Sequence, residues 1–514
     1  MLYLCQNLSE RLRLSGRMLR RSTSMQSFSI KQQGFSHRLS YAGGAIMIVG
    51  SAMSISLVSL GGFLAVIGWI WEVVEQRRQP ENSGAQSWRI PVPFLWGFAL
   101  FGWLALSLLI RAIAAWTGHL DNSLMPSGDA SAFFAHLKQG WNKELKDIFL
   151  ILAGLWTFSH SRDGRSRRWL LRCFLWAGAI MLIAGLISVF TEFRLAKIPQ
   201  YIANDWQDSP DARLQHHVGS IPLAGRVIHL FMPIGLLNTH LTYAALAGIF
   251  FLYLGLSVAS QYIRDPLGVI RTRSFWIRVA AVLALALVLF LNSGRSALLG
   301  TALSGVLGLY WFTRSRWKKR ARVLWLPVGG VALILVLGTL GLLVLDRSDG
   351  RMKELATATT GEEKHTDYQR LMVWDAAVQM AARYPLTGVG PGAFEDSVEL
   401  DILLTGKQEP YLYYPYALIQ RGHAHNDLLN FAAIGGLPAA ILFLCFWGSV
   451  ILVLLNSGGR ARFWRFGLLI VFFGGWFQCF FLDDEVMVPF WALLGLVIPG
   501  KKRMTPESVA MKSE

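Results

Sequence analysis

Arg421–Gly436, RGHAHNDLLNFAAIGG, sets an arginine, two histidines and two asparagines directly against an apolar run that ends in paired glycines. The run continues apolar to about residue 455, enough for a helix to cross a hydrocarbon core of about 30 Å. Ionisable side chains beside a bilayer are costly to keep there, so a cluster of them marks a site before it marks anything else. His425 sits at the junction between the polar cluster and the apolar run and is the leading candidate.

Working outward, the same pattern of long apolar runs separated by short polar segments recurs along the chain. Of 514 residues, 53% are hydrophobic and 16% charged, against about 25% charged in soluble domains; mean hydropathy is +0.41. This composition predicts an all-α polytopic membrane protein with about 12 transmembrane helices and a large outer loop containing an amphipathic helix. The expected spans are 41–56, 58–74, 91–115, 147–160, 169–191, 240–262, 275–293, 296–312, 323–345, 426–455, 466–482 and 486–499. The alternative for 41–74 is one long tilted helix. The chain then divides into a basic tail 1–40, spans 1–9 over 41–345, the large loop 346–424, spans 10–12 over 425–499, and a second tail 500–514.

Charge fixes the expected orientation. Segments 1–40, 72–89, 161–172, 263–278, 313–322, 456–465 and 500–514 hold 32 of the 49 Lys and Arg but only 8 of the 32 Asp and Glu, a net of +24. The remainder carries −7, so that the whole chain is +17. Cations concentrated on alternate loops follow the positive-inside rule, which puts both termini in the cytoplasm and the 346–424 loop outside. The basic balance is thereby explained by membrane topology and gives no support to a nucleic-acid partner. Runs such as Arg314, Arg316, Lys318, Lys319, Arg320 and Arg322 read as topology signals beside anionic membrane lipids.

The four cysteines, Cys5, Cys173, Cys445 and Cys479, lie in the tail or in spans, without the spacing of a zinc site or a disulfide framework. The first forty residues carry seven cations, too long a stretch for the basic part of a signal peptide, and no small-residue cleavage pattern follows the apolar run. They read as a retained cytoplasmic tail.

Within the outer loop, Tyr368–Arg383, YQRLMVWDAAVQMAAR, reads as an amphipathic helix lying on the outer leaflet, with Leu371, Trp374, Val378 and Ala381 on its apolar face and Tyr384-Pro385 as its stop. Arg370 shares a face with Val373, Trp374 and Ala377, the side opposite to where a solvated charge belongs. Its alternatives are an interfacial anchor or an ion pair with Asp367 or Glu363. Because the loop carries 8 cations against 12 anions, no general basic patch explains it.

Arg295, in LNSGRSALLG, follows a break made by Asn292, Ser293 and Gly294 and starts the next helix. It could snorkel to the interface; the small neighbours and free helix N–H groups favour anion binding. At His425, with Asn426 or Asp427 as helix cap, the helix N-terminus disfavours the imidazolium while Asp427 favours it. Arg421, His423 and Asn426 reinforce the cluster, and Gly435 and Gly436 are expected to permit close helix packing. Asn238, His240 and Tyr243 enter the sixth span as an interfacial belt or a pocket lining. Gly388–Gly392, GVGPG, superficially resembles a phosphate loop, but it follows a helix and contains proline, so it reads as a turn.

Three pieces taken in order, NSGRSALLG (292–300), QRLMVWDAAVQMAARYPLTGVGPGAF (369–394) and HAHNDLLNFAAIGGLPAAILF (423–443), resemble the O-antigen ligase and polymerase superfamily of bacterial envelopes. The resemblance covers roughly 235–485; the earlier spans agree in number and topology alone. It implies a multi-pass glycosyltransferase of the inner membrane, acting at the periplasmic face on an undecaprenyl-diphosphate-linked glycan donor, without nucleotide, metal or other cofactor. Arg295 and Arg370 match the family's two arginines and would hold the donor diphosphate. His425 matches its histidine and would act as base on the acceptor, with inversion at the anomeric carbon. This chain reads His423-Ala424-His425, so a second histidine stands beside the expected one.

Two acceptors fit that chemistry. A ligase joins the finished polysaccharide to lipid A-core, whereas a polymerase transfers the growing chain to one lipid-linked repeat. Ligase is preferred, because the dominant outer loop lies just before the histidine and the span count agrees. A protein-glycosylating member is a weaker variant. A lipid-glycan transporter, the competing class, calls for ionisable residues deep in the spans and inverted repeats; the sequence has no such repeat, and the charges of interest sit at the outer edge.

Overall fold

A computed structural model describes residues 34–78, 89–119, 128–203, 213–223, 226–314, 365–408, 422–456 and 463–498. The expected ninth span (323–345), the basic run 316–322, Cys5, Arg421 and the polar start of the outer loop lie outside them. The helices are α1 (Phe35–Gly50), α2 (Ile55–Arg78), α3 (Val92–Trp116), α4 (Ala130–Lys143), α5 (Leu150–His160), α6 (Gly164–Val189), α7 (His240–Arg264), α8 (Arg273–Asn292), α9 (Arg295–Arg314), α10 (His365–Arg383), α11 (Phe394–Gln408), α12 (Asp427–Asn456), α13 (Trp464–Gly474) and α14 (Asp484–Val497). One antiparallel hairpin, β1 (His217–Leu223) with β2 (Arg226–Phe231), is added to the otherwise helical fold and packs Leu230 against Val189 and Leu291.

Among the described residues, six helices are long and apolar enough to cross a membrane: α3, α6, α7, α8, α12 and the Ile55–Glu75 part of α2. The chain is a multi-pass membrane protein. Residues 41–74 form two helices, not one: the chain turns back after Gly50, and α1 lies antiparallel on α2. The backbones touch there, since a Cβ on Gly68 would lie 2.7 Å from Ser40 Cα. The expected span 147–160 divides into a 3-10 turn, Leu145–Phe149, and the eleven-residue α5. At about 1.5 Å per residue α5 is too short to cross alone, and it packs on α14.

The expected span 466–482 needs the larger correction. α13 stops at Gly474, and the next nine residues, GWFQCFFLD, are non-helical despite their apolar composition. Bonds from outside replace the helical ones: Asp427 N–H donates to Gly475 C=O at 2.7 Å, and Phe481 N–H donates to Asp427 Oδ1 at 3.0 Å. Asp483 then caps α14 by accepting from Glu485 N–H at 3.0 Å.

α12 is broken in its first third. Gly436 has φ 71° and ψ −173°, with Pro438 following. The groups released by the break are taken up by a loop and a neighbouring helix. Leu437 N–H donates to Pro385 C=O at 2.8 Å, and Val389 N–H donates to Ala433 C=O at 2.8 Å. The Trp103 indole of α3 donates to Gly435 C=O at 2.7 Å. A side chain at Gly436 would meet the Leu386 carbonyl carbon at 2.5 Å. The paired glycines therefore do more than admit a packed helix: Gly435 faces Leu104, while Gly436 turns the chain around the Pro385–Val389 loop. That loop and the following turn, with Gly388, Gly390 and Gly392 all at positive φ, are wedged between α3, α4 and α12, where the Arg111 guanidinium donates to Val389 C=O and Gly392 N–H to Glu144 Oε2 at 2.7 Å.

α10 packs along α12, but through a face rotated from the expected one. Met372, Val373, Ala376, Ala377 and Met380 are buried, whereas Leu371 and Val378 are 59% and 51% exposed. Both sides of this helix are apolar, so periodicity alone does not choose between a protein-facing and an outward stripe.

Candidate functional site

The site is built where the start of α12 meets the Gly475–Asp483 loop. Asn426 caps the helix, accepting from Leu429 N–H at 3.0 Å, and its amide donates to Trp476 C=O at 3.0 Å. Asn430, one turn on, accepts from Ala424 N–H at 3.0 Å. With Asp427 clamping Phe481, residues 424–427 are bonded from both sides. They hold His425 at φ 50°, a left-handed conformation that costs a non-glycine residue roughly 1–2 kcal/mol. Among the described residues the one other non-glycine at positive φ is Ser293, at 57°, two residues before Arg295. Such conformations gather at functional sites because the surroundings over-determine them.

His425 is 8% exposed, and its Nδ1 lies 2.9 Å from Gln478 Oε1. With an amide oxygen as partner, Nδ1 carries the proton and Nε2 keeps its lone pair. Burial pushes the imidazole below its ordinary range; the Gln478 bond opposes this, and the nearby Arg370 charge adds to it. The ring is therefore neutral at neutral pH and able to accept a proton. His423 stacks obliquely on it, with ring centroids 4.4 Å apart. Burial, then the charges of His425 and Lys143, push His423 down to about 4, and its Nε2 has no hydrogen-bond partner. It is the weaker base and lacks an orienting partner on that nitrogen.

Arg370 emerges from the buried side of α10, next to Val373 and Ala377, as its placement in the sequence predicts. One turn later Trp374 meets Phe477 of the loop, centroids 6.4 Å apart. Its charge bears directly on His425. Arg295 is exposed as the first residue of α9. The Ser296 carbonyl borders Gly474, where an added Cβ would lie 3.2 Å away, and Gly475 bonds Asp427. The residue after Arg295 and the start of α12 thus both border the Gly474–Gly475 backbone, while Arg370 acts on His425 through its charge.

The secondary candidates separate. Asn426 is occupied with holding the loop. Asn238 donates to Glu485 Oε1 at 2.7 Å, and Thr242 donates to Asp483 Oδ2 at 2.6 Å, so the start of α7, with His240 as its first residue, is tied to the start of α14. Tyr243 is neither belt nor pocket lining: it is fully buried and donates to Met181 C=O at 3.1 Å. Sequence reasoning missed Gln478, Trp476, Asp483 and Glu485. The available signal was the pair Gly474-Gly475 followed by Asp483-Asp484-Glu485, a helix stop and a helix start set inside an apolar stretch.

Residues 280–444 match the model of the family described as O-antigen ligase. The match covers about a third of the chain and supports a likeness to the O-antigen ligase and polymerase superfamily. The matched segment runs from within α8 to the middle of α12 and contains Arg295, Arg370 and His425, whereas Gln478, Asn238 and Glu485 lie outside it. Members of the superfamily are glycosyltransferase-like enzymes. No curated protein matches the chain.

Proposed function

We propose that this protein is an O-antigen ligase: an inverting, metal-independent glycosyltransferase that moves a polysaccharide from undecaprenyl diphosphate to lipid A-core at the periplasmic face of the inner membrane. The observation that carries the reading is the neutral, oriented imidazole of His425 with Arg370 beside it. His425 Nε2 takes the proton of an acceptor sugar hydroxyl. The hydroxyl oxygen attacks the anomeric carbon of the donor, the bond from that carbon to the diphosphate oxygen breaks, and undecaprenyl diphosphate departs with the electron pair. Charge grows on the leaving diphosphate, and guanidinium groups suit it through paired N–H donors. Arg370 meets it near the base, and Arg295, exposed at the start of α9, is the second cation.

Polymerase activity, with one lipid-linked repeat as acceptor, uses the same chemistry and is the second reading, since the same residues serve either acceptor. Replacing His425 with Ala and examining lipopolysaccharide together with lipid-linked intermediates tests both. The ligase reading expects core without polymer, with long chains accumulating on the carrier lipid. Core capped by a single repeat would shift the assignment to polymerase, and a wild-type pattern would remove His425 from the mechanism.

A further inference from the structure

A cavity of about 330 Å³ lies between α1, α2, the Leu145–Phe149 turn, α5 and α14. Most of its wall is apolar, including Val58, Val66, Leu150 and Val488, and Phe63 and Phe149 on its lining are 64% and 56% exposed, so it opens sideways toward the apolar surroundings of the bundle. Its other lining residues include Lys146, Asp147 and Asp484. Asp147 is 2% exposed and faces the carboxyl of Asp484, and neither of its oxygens receives an N–H donor. A buried acceptor left without a donor is costly, and native proteins rarely keep one without a use.

The charges around Asp147 are Asp484, Lys146 and Glu144, three acids with Asp147 itself against one base. Lys146 Nζ lies 3.5 Å from Asp484 Oδ2 and remains about half exposed. The cavity adjoins the proposed active site without belonging to it: Asp483 and Glu485 bond the start of α7, while Asp484 between them lines the cavity.

We propose that this cavity binds one phospholipid with a primary-amine headgroup of the ethanolamine type. An acyl chain fills the apolar part, the ammonium donates to Asp147, and the phosphate lies at Lys146. A primary ammonium brings the N–H donors that the Asp147 oxygens lack. A choline headgroup has the charge without donors, and a glycerol headgroup, net negative, meets an excess of acids. The site is independent of the assigned glycan transfer, and binding is read without any assay of that activity.

The test is native mass spectrometry of the purified, delipidated full chain titrated with dioleoyl phosphatidylethanolamine, phosphatidylcholine or phosphatidylglycerol. One phosphatidylethanolamine is expected to bind about tenfold more tightly than either of the others, with Asp147→Asn lowering it to the phosphatidylcholine level. Gly62→Leu fills the apolar part without touching the carboxyls, since its Cβ meets Met47 Sδ at an ordinary 3.6 Å, and it should remove the bound lipid. Equal binding of the three lipids, a preference for phosphatidylglycerol, or full binding in Asp147→Asn overturns the proposal. Should Asp147→Asn fail to fold, undiminished phosphatidylethanolamine binding in Gly62→Leu overturns it alone.

Discussion

Helices α9 and α12 each begin shortly after or at a non-glycine residue in left-handed conformation, Ser293 and His425, yet the two starts differ in how they are held. His425 is buried, and the residues around it are bonded to the 475–483 loop through Gln478, Trp476, Gly475 and Phe481. Arg295 is exposed beyond its turn. A group that must take a proton from one hydroxyl needs a fixed position and a fixed tautomer. A group that neutralises a diphosphate works over a wider range of positions and gains from access to solvent and ligand. In the proposed mechanism, one architecture serves a rigid base at one helix start and an accessible cation at the other.

The largest effect expected is on the rigid side: His425→Ala should lower glycan transfer by about 10²–10⁴-fold, the range for a lost general base, measured with reconstituted protein and lipid-linked donor. Next come the cations. Lysine keeps the charge but loses the fork, so Arg370→Lys should lose roughly 10–100-fold and the exposed Arg295→Lys less, on the scale of one or two charge-assisted bonds; full activity in both would count against the diphosphate role. Arg370→Gln adds a sign: it removes a charge that pushes His425 down, so the acid limb of the rate profile should move up in pH. The smallest effect belongs to His423→Ala, expected within about threefold of wild type because a base held at about 4 has little proton affinity to contribute.

Much of this site could be read in the sequence because its chemistry is local. Arg370 declared itself by sharing a face with Val373 and Ala377, and both are buried. The cap at Asn426 follows from residue type next to an apolar run. What stayed hidden depends on distant partners. The apolar Gly475–Asp483 stretch reads as the end of a span until the carboxyl of Asp427 and its N–H, about fifty residues earlier, are seen to bond it. Gly436 reads as a packing glycine, and its left-handed turn follows from the Pro385 and Leu386 backbone that lies against it. Gln478 carries no signal of its own; an amide in an apolar loop becomes an orienting group only once the loop folds over His425.

The central claim, a neutral His425 whose tautomer is set by Gln478, is tested most directly by the pH dependence of glycan transfer in proteoliposomes for wild type and Gln478→Ala. Burial and Arg370 hold the imidazole down, so the active neutral form persists as pH falls through 6.5, the ordinary histidine value, and activity should be lost only below it. Gln478 opposes that shift, so its removal should move the acid limb still lower, together with a rate loss of about tenfold as the ring loses its orientation. An acid limb centred at or above 6.5, or one that Gln478→Ala leaves in place, would contradict the account.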